Sequence, residues 1–175
     1  MVFLSITLED ASHGIGRRHP DVGDILVKRN AHHSLRRECK KTSMATISVR
    51  TKQKDQIVDI TGIVEKHLQG AKNGQGMCML FVAHTTCALT TADLDPGTDL
   101  DLLDALRGLL PEISYRHPHD PSHTPDHILS SIIGPSLVIP YANHRLLLGT
   151  WQRIILVELD GPRQRTVHLS YVMSP

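Results

Sequence analysis

Four histidines fall within eleven positions of the sequence, in a segment rich in proline and aspartate. They are His117, His119, His123 and His127. Imidazole nitrogen is a donor that suits zinc, copper, iron and nickel. An H-x-H pair in extended chain places both rings on one side, and a further histidine can complete a three-nitrogen face with one position open to water or substrate. The spacing therefore allows a metal site, while the composition of the segment is equally compatible with a solvated loop.

A fifth histidine stands at the end of a predicted strand. His84 follows the apolar run at residues 77–83 and opens the sequence His-Thr-Thr. A strand end is where a rigid scaffold presents a side chain to a loop, which makes His84 a candidate catalytic residue. A structural histidine with satisfied hydrogen bonds is the alternative.

Charged residues of both signs occur in the C-terminal third. Glu158 shares a strand face with Ile154 and Leu156 if RIILVEL is extended. A carboxylate among apolar neighbours needs a partner or has a raised pKa, so Glu158 is a candidate base or cation ligand. The alternative is an edge-strand glutamate that reaches solvent. Arg163 and Arg165 fall on one strand face, where two guanidinium groups suit a phosphate or carboxylate, although surface arginine pairs are also common.

The only tryptophan of the chain lies between these regions. Trp151 stands beside Gln152 in the sequence Gly-Thr-Trp-Gln. An aromatic ring next to an amide can form the wall of a binding pocket, and a buried core tryptophan is the alternative.

The strands that must position these residues are short. Alternation of Ala45, Ile47 and Val49 with polar residues predicts a strand that begins near Met44. Further strands are expected at residues 56–60 and 77–83, and the continuous apolar run of the second suits a buried strand. Four more strand segments follow in the C-terminal third, namely SLVIP, RLLLG, TWQRIILVEL and RTVHLSYVM.

Helices separate the strands at three places. Thr61 can cap the first helix, and the second begins with the capping-box order at Thr98. Asp126 is expected as the N-cap of a shorter third helix that ends at Gly134. Two or three helices among about eight strands, without regular βαβ alternation, predict an α+β fold built on a β-sandwich or pseudobarrel of mixed strands.

Composition excludes several classes of protein. Of 175 residues, 40% are hydrophobic and 21% charged, which is enough for one globular core. The net charge of +1 and the 3% of aromatic residues give no sign of a nucleic-acid partner. No apolar run approaches the ~20 residues of a membrane span, so no membrane partner is expected. Three cysteines without CxxC spacing, Cys39, Cys78 and Cys87, indicate a reducing, cytoplasmic setting.

A change in composition near Met44 divides the chain. Residues 1–43 are polar, basic and rich in turn-forming residues, without a sustained apolar period. They predict a basic N-terminal arm, either disordered or the product of an upstream reading of the start codon. Residues 44–175 are expected to form a single domain.

Several motifs in a fixed order make the region from about Thr51 onward similar to the YjbQ family, whose members are described as secondary thiamine-phosphate synthases. The motifs are NGQGMCMLFVAHTTCALTTAD, DLLDALRGLLP, HILSSIIGPSLVIP and LLLGTWQRIILVELDGPR. The resemblance implies a compact α+β domain that assembles as a homotrimer. It also implies a divalent metal, zinc or, with a diphosphate substrate, magnesium. The metal is expected near His84, His127 and either His117 or His119.

The resemblance further implies an activity and a set of substrate contacts. The family reaction joins hydroxymethylpyrimidine diphosphate to a thiazole phosphate and releases pyrophosphate. His84 and Glu158 would be catalytic, and the small phosphorylated substrate would contact Thr85, Thr86, Trp151, Gln152, Arg163 and Arg165. Pro125 stands where many members have another histidine. Which of His117, His119 and His123 completes the metal site therefore stays open.

Two other functions are compatible with the same residues. A metal-dependent hydrolase of a small phosphorylated or acyl substrate would use the histidines to lower the pKa of a bound water. A non-catalytic protein would bind a metal or a phosphorylated metabolite without turnover. A hydrolase needs only water, whereas the transferase is silent without its second substrate.

Overall fold

Eight β-strands and three α-helices make up the part of the chain that the computed structural model describes, residues 44–70 and 74–173. The strands are β1 (Met44–Arg50), β2 (Gln56–Asp59), β3 (Gln75–Val82), β4 (Cys87–Ala92), β5 (Ser136–Ala142), β6 (Arg145–Leu146), β7 (Arg153–Glu158) and β8 (Gln164–Met173). The helices are α1 (Thr61–Leu68), α2 (Thr98–Gly108) and α3 (Thr124–Ile133), and a 3-10 turn, Pro121–His123, leads into α3. The predicted N-terminal arm lies outside the described residues and stays a prediction.

The strands form two antiparallel sheets. One has five strands in the order β1-β8-β3-β5-β6, and the other has three in the order β2-β7-β4. Buried side chains from both sheets, such as Leu80, Leu89 and Leu156, belong to one core cluster. A second core cluster joins the three-stranded sheet to α2 and α3 through Leu103, Leu129 and other residues. The predicted α+β fold with a β-sandwich is confirmed.

Strand β7 is buried on both faces because the other sheet covers one side of the three-stranded sheet and α2 and α3 cover the other. Ile154 and Leu156 belong to the cluster between the sheets, whereas Ile155 and Val157 belong to the cluster under the helices. This placement explains the unbroken apolar sequence of the strand. Glu158 continues it and is also fully buried.

The apolar run at residues 77–83 differs from its prediction. It forms β3 but is buried only at alternate residues, with Cys78, Leu80 and Val82 facing the core. Met77 and Phe81 are 39% and 47% exposed on the outer face of the five-stranded sheet. A continuous apolar run does not distinguish a strand buried on both faces from one whose outer face is bare in the single chain.

Three predicted helix caps are wrong. Thr61 is the first residue of α1 and does not cap it, because its hydroxyl accepts a hydrogen bond from the backbone N–H of Ile154. The residue before α2 is Gly97 in the left-handed conformation, with φ at 96°, and no side chain caps that helix end. A capping box at Thr98 is therefore not formed. The third helix begins at Thr124, so Asp126 lies inside its first turn, where its side chain accepts a hydrogen bond from Arg107. The tertiary contact with Arg107 has replaced the predicted local cap.

Candidate functional site

A cavity of about 590 Å³ opens where the loop after β3, the start of α3 and the segment between β7 and β8 meet. The residues that line it are His84, Thr85, Thr86, His123, His127, Asp160, Pro162, Arg163, Gln164 and Arg165. Six predicted site residues thus come together from three parts of the chain, and His123 joins them. Asp160 is a residue that sequence reasoning missed, because the sequence shows only that it precedes a Gly-Pro turn.

A buried ion pair forms the floor of this cavity. Arg165 Nε donates to Glu158 Oε2 over 2.6 Å, and Arg165 Nη2 donates to Glu158 Oε1. Thr51 Oγ1 and the backbone N–H groups of Leu159 and Asp160 also donate to the Glu158 carboxylate. Glu158 is fully buried and Arg165 is 3% exposed. Both oxygens of the Glu158 carboxylate thus accept hydrogen bonds from more than one donor.

Hydrogen bonding reverses the expected pKa shift of Glu158. Burial by itself raises the pKa of this carboxyl, as predicted from its apolar neighbours. The hydrogen bonds from Arg165, Asp160 and Thr51, with the charge of Arg165, outweigh burial and lower the pKa below its ordinary value. Glu158 is therefore ionised at neutral pH and orients Arg165. A carboxylate with a lowered pKa does not suit the role of base predicted from the sequence.

Arg165 is oriented from two directions. Besides Glu158, its Nη2 donates to Thr86 Oγ1 over 3.0 Å and to the Thr86 carbonyl over 3.3 Å. Among the described residues, Nη1 has no hydrogen-bond partner in the structure. Because Arg165 lines the cavity, Nη1 is the nitrogen that these contacts leave available to a bound anion. A guanidinium held in this way suits phosphate recognition.

The second arginine of the cavity is more exposed. Arg163 donates from Nη2 to Asp160 Oδ2 over 2.7 Å and from Nε to the Asp160 carbonyl over 2.7 Å. The Arg163 side chain is 51% exposed. The sequence placed both arginines on one strand face, and the structure places both at the cavity, although only Arg165 belongs to β8.

His84 contributes a neutral imidazole. The backbone N–H of Thr166 donates to His84 Nε2 over 3.0 Å, so the proton of the neutral ring is on Nδ1. Burial, then the charge of Arg165 and to a smaller extent that of Arg163, lower the pKa of His84, against the opposing effect of Glu158. The ring can donate one hydrogen bond from Nδ1.

His127 has the same tautomer as His84 but offers an acceptor to the cavity in place of a donor. His127 Nδ1–H donates a hydrogen bond to the Thr85 carbonyl over 3.1 Å, which leaves the lone pair on Nε2. The ring of His117 stacks on that of His127, with centroids 5.3 Å apart and planes 10° apart. The backbone N–H of Asp120 donates to His117 Nδ1. His119 lies further out, with its ring 6.0 Å from that of His117 and edge-on to it.

The histidines do not converge as three ligands in the described arrangement. Among the residues that the structure describes, no group of three His, Cys, Asp or Glu side chains is placed to hold a metal ion. The His117 and His127 rings are stacked with nearly parallel planes, and His84 Nε2 already accepts a hydrogen bond. The described arrangement therefore differs from the three-nitrogen face that the spacing allows.

Trp151 and Gln152 lie away from the cavity. Trp151 is 65% exposed, and Gln152 bonds to the backbone N–H of Gly149 and to Thr91 Oγ1. Neither residue lines the cavity in the single chain. Their assignment as substrate contacts stays a prediction.

The family model of UPF0047 protein YjbQ-like matches residues 45–174. The chain belongs to the YjbQ family. The resemblance read from the motifs is thereby confirmed.

Relatives and solved structures agree with this membership. The chain is 41% identical over 120 residues to UPF0047 protein Rv2556c of Mycobacterium tuberculosis, covering 66% of this chain and 88% of the relative. It is 34% identical over 127 residues to UPF0047 protein YugU of Bacillus subtilis, covering 72% and 96%. A crystal structure from Sulfolobus solfataricus, described as a YbjQ-like protein of unknown function, matches with a TM-score of 0.71 at 32% identity and covers 77% and 99% of the two chains.

Proposed function

We propose that the chain binds a small phosphorylated molecule in the cavity and acts on it as a transferase of the secondary thiamine-phosphate synthase type. The observation that carries the proposal is Arg165, which is 3% exposed and yet lines the cavity. A buried guanidinium with a nitrogen left over after its internal hydrogen bonds is a preformed anion contact. Thr85, Thr86 and Arg163 add further donors around it.

The chemistry of such a transfer matches these donors. A ring nitrogen of the thiazole phosphate forms a C–N bond to the pyrimidine methylene carbon as the C–O bond to the diphosphate breaks. The electron pair of the broken bond leaves with pyrophosphate, so negative charge grows on the leaving group. Arg165, Arg163 and the Nδ1–H of neutral His84 can stabilise that charge. His127 Nε2, as an acceptor, can orient a donor group of the substrate.

A metal is a separate part of the proposal. A divalent ion, zinc or magnesium, would supply charge for a diphosphate. His84, His117, His119 and His127 are the residues that would bind it, after their rings turn from the described arrangement. Protein purified without chelator or affinity tag should contain about one ion per chain, a stoichiometry typical of single metal sites. Elemental analysis of wild type, His84→Ala and His127→Ala measures this. Metal-free protein from all three would end the metal assignment.

The activity itself is tested by supplying the two substrates separately and together. Hydroxymethylpyrimidine diphosphate with thiazole phosphate should give thiamine phosphate and pyrophosphate, and His127→Ala should slow this by about a hundredfold, the size of effect typical of a positioned active-site histidine. Arg145→Gln, which changes an exposed arginine of β6, is the matched control. Pyrophosphate release without the thiazole would instead indicate a hydrolase, and binding of pyrophosphate without turnover would indicate a binding protein.

A further part of the proposal is a homotrimer. The outer face of the five-stranded sheet carries a patch of exposed apolar residues, namely Met77, Met79, Phe81, Val138 and Val172, which are between 39% and 53% exposed. Strands β5, β3 and β8 are neighbours, so these residues are adjacent. A contiguous apolar patch is typical of a protein contact surface. Light scattering at micromolar concentration separates a trimer from a monomer.

We also propose that the protein works in the cytoplasm. Cys78 and Cys87 are buried free thiols, and burial raises the pKa of each to about 12. Unoxidised cysteines suit a reducing compartment. None of the helices in the described part of the chain is long and apolar enough to cross a membrane.

A further inference from the structure

Arg107 of α2 connects both sides of the cavity without lining it. It lines a second cavity of about 310 Å³, to which the first turn of α3 contributes Pro125 and Asp126. Its guanidinium donates to three acceptors, the side chains of Asp126 and Asp55 and the carbonyl of Leu159. These acceptors belong to three separate stretches of chain, so one side chain links all three.

The first contact reaches the histidine side of the cavity. Arg107 Nη1 donates to Asp126 Oδ1 over 2.5 Å, and Asp126 is fully buried in the first turn of α3. The other oxygen, Asp126 Oδ2, has no hydrogen-bond partner among the described residues. The carboxylate therefore depends on Arg107 for its compensation. His127 is the next residue and lines the first cavity, with its ring bonded to the Thr85 carbonyl.

The second contact reaches the arginine side. Arg107 Nη2 donates to the Leu159 carbonyl over 3.0 Å. The N–H of Leu159 donates to Glu158 Oε1 over 3.0 Å and to the Thr86 carbonyl over 3.2 Å. Glu158 in turn holds Arg165. The contacts thus close into a ring around the cavity, which we call the Arg107 ring, running from Arg107 through α3, the His-Thr-Thr loop and the ion pair.

We infer that Arg107 is a positioning residue that fixes His127 relative to Arg165 in the proposed anion site. The inference rests on the proposed function, since it assumes that both residues serve the same ligand. Three acceptors in different directions require a planar guanidinium, which has several N–H donors in a fixed geometry. A lysine ammonium is a point charge on a flexible stem and lacks this geometry. Without Arg107, the buried Asp126 carboxylate is uncompensated, which destabilises the first turn of α3. We expect this turn to shift toward water and to displace His127.

The test uses inorganic phosphate as the probe and three variants of the full chain. Arg107→Gln should weaken phosphate binding measured by calorimetry by about tenfold, within the range seen for residues that act through others. It should also change the ¹⁵N shifts of the His127 imidazole, because the bond from Nδ1 to Thr85 is disturbed. Arg107→Lys should restore only part of the affinity, and Arg145→Gln should change neither reading.

A double variant separates positioning from stability. Arg107→Gln/Asp126→Asn removes the uncompensated buried charge and should regain most of the lost thermal stability, which also covers the case in which Arg107→Gln alone does not fold. Affinity that stays low in this folded double variant supports positioning. Affinity and His127 shifts that return to wild-type values together with stability overturn it. Absence of phosphate binding by the wild type, with Arg107→Gln still shifting the His127 signals, overturns the proposed function instead.

Discussion

Replacing Glu158 with glutamine should lower the free energy of unfolding by about 3–5 kcal/mol, the cost typical of removing one partner from a buried ion pair. The variant leaves the guanidinium of Arg165 buried at 3% exposure without its countercharge. It also weakens the acceptor for Thr51 Oγ1 and for two backbone N–H groups. Urea denaturation followed by circular dichroism measures the change.

The control for this prediction removes both charges. Glu158→Leu/Arg165→Met should recover much of the lost stability, because apolar residues of similar size often replace a buried ion pair at little cost. Leu156→Met, a near-isosteric change in the same buried strand, should cost less than about 1.5 kcal/mol. If Glu158→Gln is no less stable than Leu156→Met, the pair does not have the buried geometry described.

The second large effect concerns binding and uses the same double variant. Glu158→Leu/Arg165→Met should weaken phosphate binding by about ten- to a hundredfold, since a hydrogen bond to a charged group contributes about 1.5–3 kcal/mol. The loss follows from Arg165 alone, because Glu158 is buried behind it. Calorimetry with inorganic phosphate gives the comparison.

Stability and binding are separated by comparing variants. Leu156→Met changes the core without touching the cavity lining, so it should bind phosphate as the wild type does. A double variant that folds and still binds phosphate with wild-type affinity would contradict Arg165 as the anion contact. The proposed function would then lose the observation on which it rests.

Local patterns were sufficient to predict most of the fold. Alternation at Ile47 and Val49 predicts β1, and the apolar sequence RIILVEL predicts a strand at β7. The run at residues 77–83 shows the limit of such patterns, because Met79 and Phe81 look like core residues and lie on an open sheet face. Whether the outer face of a strand is covered depends on residues outside that strand. The strand's own sequence does not contain that information.

The sequence was sufficient to predict several of the residues that line the site, but not which of them contact each other. His84, His127 and Arg165 carry side chains that stand out in the sequence, and all three line the cavity. The pairing of Glu158 with Arg165 depends on the turn between β7 and β8. The contact of Arg107 with Asp126 depends on how α2 and α3 pack, and neither could be predicted from the sequence. Such partners depend on tertiary geometry, and a buried carboxylate in an apolar sequence indicates only that some partner exists.

The Arg107 ring has a consequence for the order of events during folding. Its hydrogen bonds join residues far apart in sequence, with separations of 79 for Thr86 and Arg165, 52 for Arg107 and Leu159, and 42 for Thr85 and His127. Contacts of such high sequence separation carry the largest loop-closure entropy and form late. A chain that is not yet folded therefore lacks the arrangement on which the proposed anion site depends. A metabolite held there should act mainly by slowing unfolding, with little effect on the rate of refolding.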